Sequence, residues 1–310
     1  MSSIALPSLT CPFPTAISPL HDELRQRSED WAPGNGVVPG QDGLRWLRSA
    51  RFGTLAASLC PEFDRDRLTD VVDWLVWLFA FDDKYCEHAG HLAGVRSMTD
   101  TLTRFLRVMS GGAEPSDDAF EQALVDIWQR TAERATPIQL ERLHGAFSTY
   151  FFSLIWEANH SASTVTLADY VFMRPETAGV TPWLLLVEII GGTRPDPEVM
   201  AGPEMRTLHE HAAHVINWMN DIVSFQREAA VDADALNLVI VIGAERGLDP
   251  QKALDLAAAM HAEEVGRYQR AESVVLVGAS EPVRAYVRSL GFVISGFYTW
   301  FMGSGRYAGA

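Results

Sequence analysis

Cysteine is scarce in this 310-residue sequence: Cys11, Cys60 and Cys86 are the three present. They are widely separated and form no CxxC pair, which excludes a disulfide framework and suits a reducing cytoplasm. Long apolar runs are missing too. The longest, residues 74–81, falls far short of the roughly 20 residues that a membrane span needs, and the first residues lack the basic and apolar regions of a signal peptide. A soluble, cytoplasmic protein is the expectation. Positive charge is in short supply, with 25 Lys and Arg against 40 Asp and Glu, a net charge of −15. Such a surface repels phosphate backbones, so nucleic acid and anionic membranes are poor partners. An anionic small molecule remains open if metal ions or a local basic cluster supply the opposite charge. Strand signals are scarce, the β-branched stretches 236–242 and 274–277 lying inside longer helical patterns, and repeats of 20–50 residues and Gly/Ser/Pro-rich linkers are absent.

What the sequence does have is helical periodicity. Apolar residues recur at i, i+3, i+4 and i+7 through nearly every stretch between Gly and Pro breaks. This predicts helices at about 19–29, 41–58, 65–86, 91–110, 117–134, 138–160, 180–191, 197–228, 234–246, 250–277 and 280–303. Residues 1–17, with Pro7, Pro12 and Pro14, read as an irregular arm, and 18–310 as one all-α domain. Two helices are apolar nearly all round, 71–81 interrupted only by Asp73 and 183–190 only by Glu188. Helices of that kind belong at the centre of a protein.

The first of them runs directly into Asp82-Asp83, and carboxylates at the end of a buried helix need metal ions or basic partners to offset desolvation. With Glu87 they form DDxxxE. On an α-helix Asp83 and Glu87 share a face while Asp82 lies about 100° round. Mg²⁺ takes such oxygen donors and leaves positions for phosphate oxygens. A solvated acidic helix end is the plain alternative, and the motif alone arises by chance in roughly one such chain in five.

A second pattern is far more specific. Asn220, Ser224 and Glu228 are spaced i, i+4, i+8 within the string NDIVSFQRE, so all three lie on one helix face. An amide oxygen, a hydroxyl and a carboxylate suit an octahedral Mg²⁺ completed by phosphate and water. The full string is expected by chance in on the order of one chain in a thousand. Just upstream, His209, His211 and His214 form HxHxxH. His211 and His214 share a face but His209 does not, and a solvated or partly packed helical face accounts for them better than zinc.

The acidic motif and the triad together resemble the bacterial class I terpene synthases in type, order and separation. The resemblance covers nearly the whole chain. It implies a single-domain helical bundle around a central cavity, three Mg²⁺ ions, and catalysis at Asp82, Arg174, Asn220, Ser224 and Glu228. Arg174, 46 residues before Asn220, stands where the family places an arginine that senses diphosphate beside a helix break. Pro175 and Gly179 are suitable breakers. Thr177 occupies the linker position, commonly Asp in the family, and Ala178 and Gly179 fall at the effector position. Arg227 replaces the family's usual Lys, keeping charge but changing geometry. Arg306-Tyr307 matches its terminal Arg-Tyr pair. The family makes a homodimer conceivable, without an identifiable interface.

The implied reaction is ionisation of a prenyl diphosphate, with developing charge stabilised by metal and by Arg174, Arg227, Arg306 and Tyr307. Aromatic walls would then shield the carbocation, Phe81 and Trp300 being the candidates beside the motif and the C-terminal segment. Farnesyl diphosphate, giving a sesquiterpene, is favoured over geranylgeranyl diphosphate. A chain-elongating prenyl synthase would carry a second DDxxD where Asn220, Ser224 and Glu228 stand. A non-catalytic helical interaction protein would explain the helices and acidity but not the metal motifs.

Overall fold

The computed structural model describes residues 4–86, 92–112 and 116–305. It is 76% helical, with no strand among the described residues. The helices are α1 (His21–Gly34), α2 (Gly40–Ala50), α3 (Phe52–Leu59), α4 (Arg65–Phe81), α5 (Leu92–Met109), α6 (Ala119–Arg134), α7 (Pro137–Glu157), α8 (Leu167–Thr177), α9 (Val180–Ile190), α10 (Pro197–Ala201), α11 (Pro203–Val231), α12 (Leu238–Arg246), α13 (Pro250–Leu276) and α14 (Glu281–Gly303). A π-helical segment, Asp82–Cys86, continues α4.

The all-α reading holds, and the differences from the predicted boundaries have identifiable causes. The helix expected over 41–58 breaks at Arg51, whose φ of 56° is left-handed. The chain turns there because α1 lies directly against α3: a Cβ on Gly53 would sit 2.2 Å from the Arg25 amide nitrogen. The helix expected over 197–228 divides at Gly202, where Pro203 starts α11, as suits proline's fixed φ and missing donor. The stretch 65–86 is α-helical only to Phe81. Helix α8 was not predicted at all.

Helices α4 and α9 form the centre, as their all-round apolarity requires. Every residue of α9 except Thr181 is buried, and α9 packs on α4, α6, α7, α8, α11 and α14. The two carboxylates that interrupt these helices are paired. Asp73, fully buried, accepts from Arg27 Nη2 at 2.6 Å and Arg130 Nη2 at 2.8 Å. Burial still raises its pKa, with the two arginines opposing. Glu188 accepts from Gln139 Nε2 at 2.8 Å and from Arg142 at 3.1 Å. These contacts tie α4 to α1 and α6, and α9 to α7.

The described part of the arm lies on the domain. Leu9 and Phe13 are buried, and Phe13 meets Tyr268 edge-on. Gln226 donates to the Ile4 carbonyl, Gln251 exchanges two hydrogen bonds with the Ala5 backbone, and Ser295 donates to the Pro14 carbonyl. Among the described residues no helix is long and apolar enough to cross a membrane.

Candidate active site

The candidate residues fall at the C-terminus of α4, at the α8–α9 junction and along the C-terminal half of α11. At the first, the α-helix opens into a π turn just as it reaches Asp82 and Asp83, both partly exposed. A π turn has more than four residues per turn and is frequent at functional sites. The 100° offset expected between Asp82 and Asp83 therefore does not apply. Glu87 lies outside the described residues. Beyond the pair, Lys84 stands over the rings of Tyr85 and Phe120.

On α11, Asn220, Ser224 and Glu228 fall in one uninterrupted helix, as their spacing predicts. Ser224 Oγ donates to the Asn220 carbonyl at 2.8 Å, which leaves its lone pairs for another ligand. Glu228 is held on both oxygens, with Asn237 Nδ2 3.0 Å from Oε2 and the Arg227 guanidinium 3.6 Å from Oε1. Arg227 thus stands next to the triad's carboxylate, although half exposed.

Arg174, in the last turn of α8, reaches α11. Its Nη2 donates to Asp221 Oδ1 at 2.6 Å and to Asn220 Oδ1 at 3.2 Å, and its Nε to Asp221 Oδ1 at 3.1 Å. Asp221 is completely buried and also accepts from the Tyr170 hydroxyl at 2.6 Å. Burial pushes the Asp221 carboxyl up, and Arg174 and Tyr170 counter it. Three residues beyond Arg174, Thr177 ends the helix; Ala178 caps it. Gly179 then takes a φ of 66°, and a Cβ there would meet the Tyr150 ring at 3.2 Å. Glycine is required on both grounds.

Glu157 stands at the end of α7. Burial raises its pKa to about 7; Arg174 opposes the rise, and the charges of Asp82, Asp221 and Glu228 add to it. These carboxylates belong to the segment after α4, to α7 and to α11. Their oxygens are hard donors of the kind that divalent cations take. Glu157, Asp221, Tyr170 and Asn237 were missed by sequence reasoning. Asp221 lay in view inside the string around the triad; the other three are single polar residues with no periodic signal.

Phe81 and Trp300 are covered in this structure. Phe81 stacks on Trp77 at 5.5 Å and meets Tyr150 at 6.3 Å, linking the acidic end of α4 to the ring beside Gly179. Trp300 packs on Phe79 at 5.2 Å and donates to the Ala50 carbonyl. Arg306 and Tyr307 lie outside the described residues.

The histidine motif is used elsewhere. His209 contacts the Tyr286 hydroxyl, whereas His211 and His214 both approach Glu264 Oε1. One donor atom from each of His211, His214 and Glu264 lies within 4.8 Å of the others, so the three that cluster are two of the motif's histidines with a glutamate of α13 and not the HxHxxH set.

An all-helical bundle with acidic residues after α4 and along α11, and an arginine reaching α11 from α8, agrees with the class I terpene synthases that the sequence resembles. A family model described as terpene synthase family 2, C-terminal metal binding, matches residues 73–267. The chain belongs to that family and is a terpene synthase of the bacterial class I type. It is 30% identical over 309 residues to the 4-epi-cubebol synthase ((2E,6E)-farnesyl diphosphate cyclizing) of Streptosporangium roseum, covering 99% of this chain and 93% of that one. It is 32% identical to the bonnadiene synthase of Allokutzneria albata, covering 92% and 81%. Among solved structures, a variant of the SVS_A2 protein from ancestral sequence reconstruction superposes with a TM-score of 0.88 at 26% identity. The match spans 99% of this chain and 91% of that one.

Proposed function

We propose that the protein is a Mg²⁺-dependent cyclase that ionises farnesyl diphosphate, releases diphosphate and closes the carbocation into a sesquiterpene. The observation that carries this reading is the contact of Arg174 with Asn220 and Asp221, which sets a buried guanidinium beside the triad's oxygen donors. Asp82, Asp83 and Glu87 on one side, and Asn220, Ser224 and Glu228 on the other, would hold the metal; three ions is the number the family resemblance implies. Bound Mg²⁺ supplies Lewis-acid stabilisation of the charge that builds on the leaving diphosphate. Arg174, with Arg227, Arg306 and Tyr307, donates hydrogen bonds to the diphosphate oxygens. Thr177, Ala178 and Gly179 form the turn next to the substrate. The aromatic clusters around Phe81 and Trp300, both rings covered by protein, back the walls that exclude water from the cation. Residues 18–310 act as one domain with the arm, 1–17, laid over it.

The C15 substrate follows the farnesyl diphosphate cyclising relative. Diterpene synthases among the relatives favour geranylgeranyl diphosphate as the second reading. Incubation with geranyl, farnesyl and geranylgeranyl diphosphates, each with and without Mg²⁺, followed by gas chromatography–mass spectrometry, separates the two. A cyclic C15 product that needs Mg²⁺ is expected. A C20 product alone would keep the mechanism and overturn the substrate. Neither product nor Mg²⁺-dependent diphosphate binding would leave a helical interaction protein as the better account.

A further inference from the structure

Pro175 lies inside α8, one residue after Arg174. Having no N–H, it leaves the carbonyl of Val171, four residues earlier, without its helical partner. His214 Nε2 stands 3.1 Å from that carbonyl oxygen. The carbonyl can only accept, so Nε2 carries the proton. Asn217 Nδ2 donates at 3.1 Å to the Arg174 carbonyl, one of the last-turn carbonyls that a helix leaves orphaned. Asp221 then takes the Arg174 guanidinium and the Tyr170 hydroxyl. His214, Asn217 and Asp221 are spaced i, i+3, i+7, a single stripe of α11, and all three are buried.

We propose that His214 and Asn217 are positioning residues which repair the break at Pro175 and so fix Arg174 against the triad. This rests on the reading of Arg174 as a diphosphate ligand. The His214 ring stacks on Trp218 with centroids 5.0 Å apart, and Glu264 Oε1 lies 3.3 Å from its Nδ1. Glu264 is steadied from its other oxygen by Arg267 at 3.0 Å. One helix thereby grips the backbone of α8 at two points, its arginine at a third, and carries Asn220, Ser224 and Glu228 over the next turns. Arg174 and the triad are set at a fixed separation even though Pro175 removes a hydrogen bond from the last turns of α8. With a residue other than proline at 175 the Val171 carbonyl would need no outside donor. With proline there and no His214, that partly buried carbonyl would be unpaired, and the end of α8 would be free to shift.

The geometry makes His214 and Pro175 energetically coupled, which gives the test. His214→Phe keeps the ring volume and removes the donor; His214→Gln keeps a donor nitrogen near the position of Nε2. Pro175→Ala restores the peptide N–H that can serve the Val171 carbonyl itself. His214→Phe is expected to lower kcat about tenfold with little change in KM, because a small misplacement of a charge-stabilising group acts in the transition state. His214→Gln should recover most of that loss. In the Pro175→Ala background His214→Phe should cost no more than about twofold, a departure from additivity. Asn217→Ala reads the second grip and should also lower kcat. An unchanged kcat per folded molecule in His214→Phe, or the same loss with and without Pro175, would overturn the proposal. The underlying reading is tested apart, by calorimetric binding of inorganic diphosphate with Mg²⁺ to Arg174→Ala. Unchanged affinity there overturns the role of Arg174, whereas the coupling of His214 and Pro175 in thermal stability reports on the carbonyl alone.

Discussion

Asn237 and Glu228 are joined across the turn that follows α11: Asn237 Nδ2 lies 3.0 Å from Glu228 Oε2 and 2.9 Å from the Asp221 carbonyl. One fully buried amide therefore fixes the direction of a carboxylate proposed to bind metal and occupies the carbonyl of its neighbour in the helix. Groups that orient ligands in this way typically change metal affinity by about 10–100-fold when removed. Asn237→Leu should raise the Mg²⁺ concentration for half-maximal activity by about tenfold. It should also cost stability, about 0.5–1.5 kcal/mol for the bond to an Asp221 carbonyl that keeps its helical partner and about 1 kcal/mol for the lost N-cap of α12. A Mg²⁺ titration of activity beside a denaturant melt checks both. An unaltered titration would mean that Glu228 needs no orienting.

Asn220→Ala and Glu228→Ala should each abolish turnover. Both positions retain solvent contact, so the fold should persist, as circular dichroism and a melt would show. Full activity in either variant would remove the triad's metal role.

At Gly179, alanine meets two obstacles, the left-handed φ and the Tyr150 ring. A non-glycine residue in that conformation costs roughly 1–2 kcal/mol. Because Tyr150 touches Phe81, its displacement should carry to the aromatic cluster beside the acidic motif. Gly179→Ala is expected to fold, with a lower melting temperature and a changed ratio of products. An identical product profile would separate this turn from the substrate.

The ion pairs of Asp73 invite a stability measurement. Asp73→Ala would leave the partly exposed Arg27 without this partner and Arg130 with Asp70 and Asp126 alone, so the loss should fall below the about 3–5 kcal/mol of a fully orphaned buried charge. Arg27→Ala, at the more exposed end, should cost less, since Arg130 still holds the carboxylate. Equilibrium urea unfolding of both variants checks the order.

His261 is buried on α13 and neither ring nitrogen makes a well-formed hydrogen bond. Burial pushes its pKa down to about 4, with Glu264 opposing. The unfolded chain therefore takes up this proton first as pH falls. The contribution of the neutral ring is complete above about pH 6.5 and is lost progressively down to pH 4, some 3 kcal/mol in all. His261→Leu should flatten the stability profile across that window. Equal slopes for both proteins between pH 6.5 and 4 would contradict the assignment.

How far the site could be read from the sequence depended on whether its chemistry was periodic. Asn220, Ser224 and Glu228 were legible because one helix places i, i+4 and i+8 on one face, and the structure keeps that helix whole. The buried carboxylates Asp73 and Glu188 stood out against apolar runs; their arginine partners, 46 and 57 residues away for Asp73, did not. Helix α8 was hidden because its pattern is irregular: Pro175 sits within it and Phe172 points outward, 79% exposed. The π turn at Asp82 was invisible for another reason, since composition does not distinguish it from the α-helix it continues. Glu157 and Asn237 act through tertiary neighbours alone.

The arm at the start of the chain has partners that are synthesised late. Ile4, Ala5 and Pro14 are bonded to Gln226, Gln251 and Ser295, and Leu9 and Phe13 are buried with them. On the ribosome Ile4, Ala5 and Pro14 are made more than two hundred positions before these partners, and wait for them through that much elongation. The arm can close over helices α11, α13 and α14 only after those helices have been made.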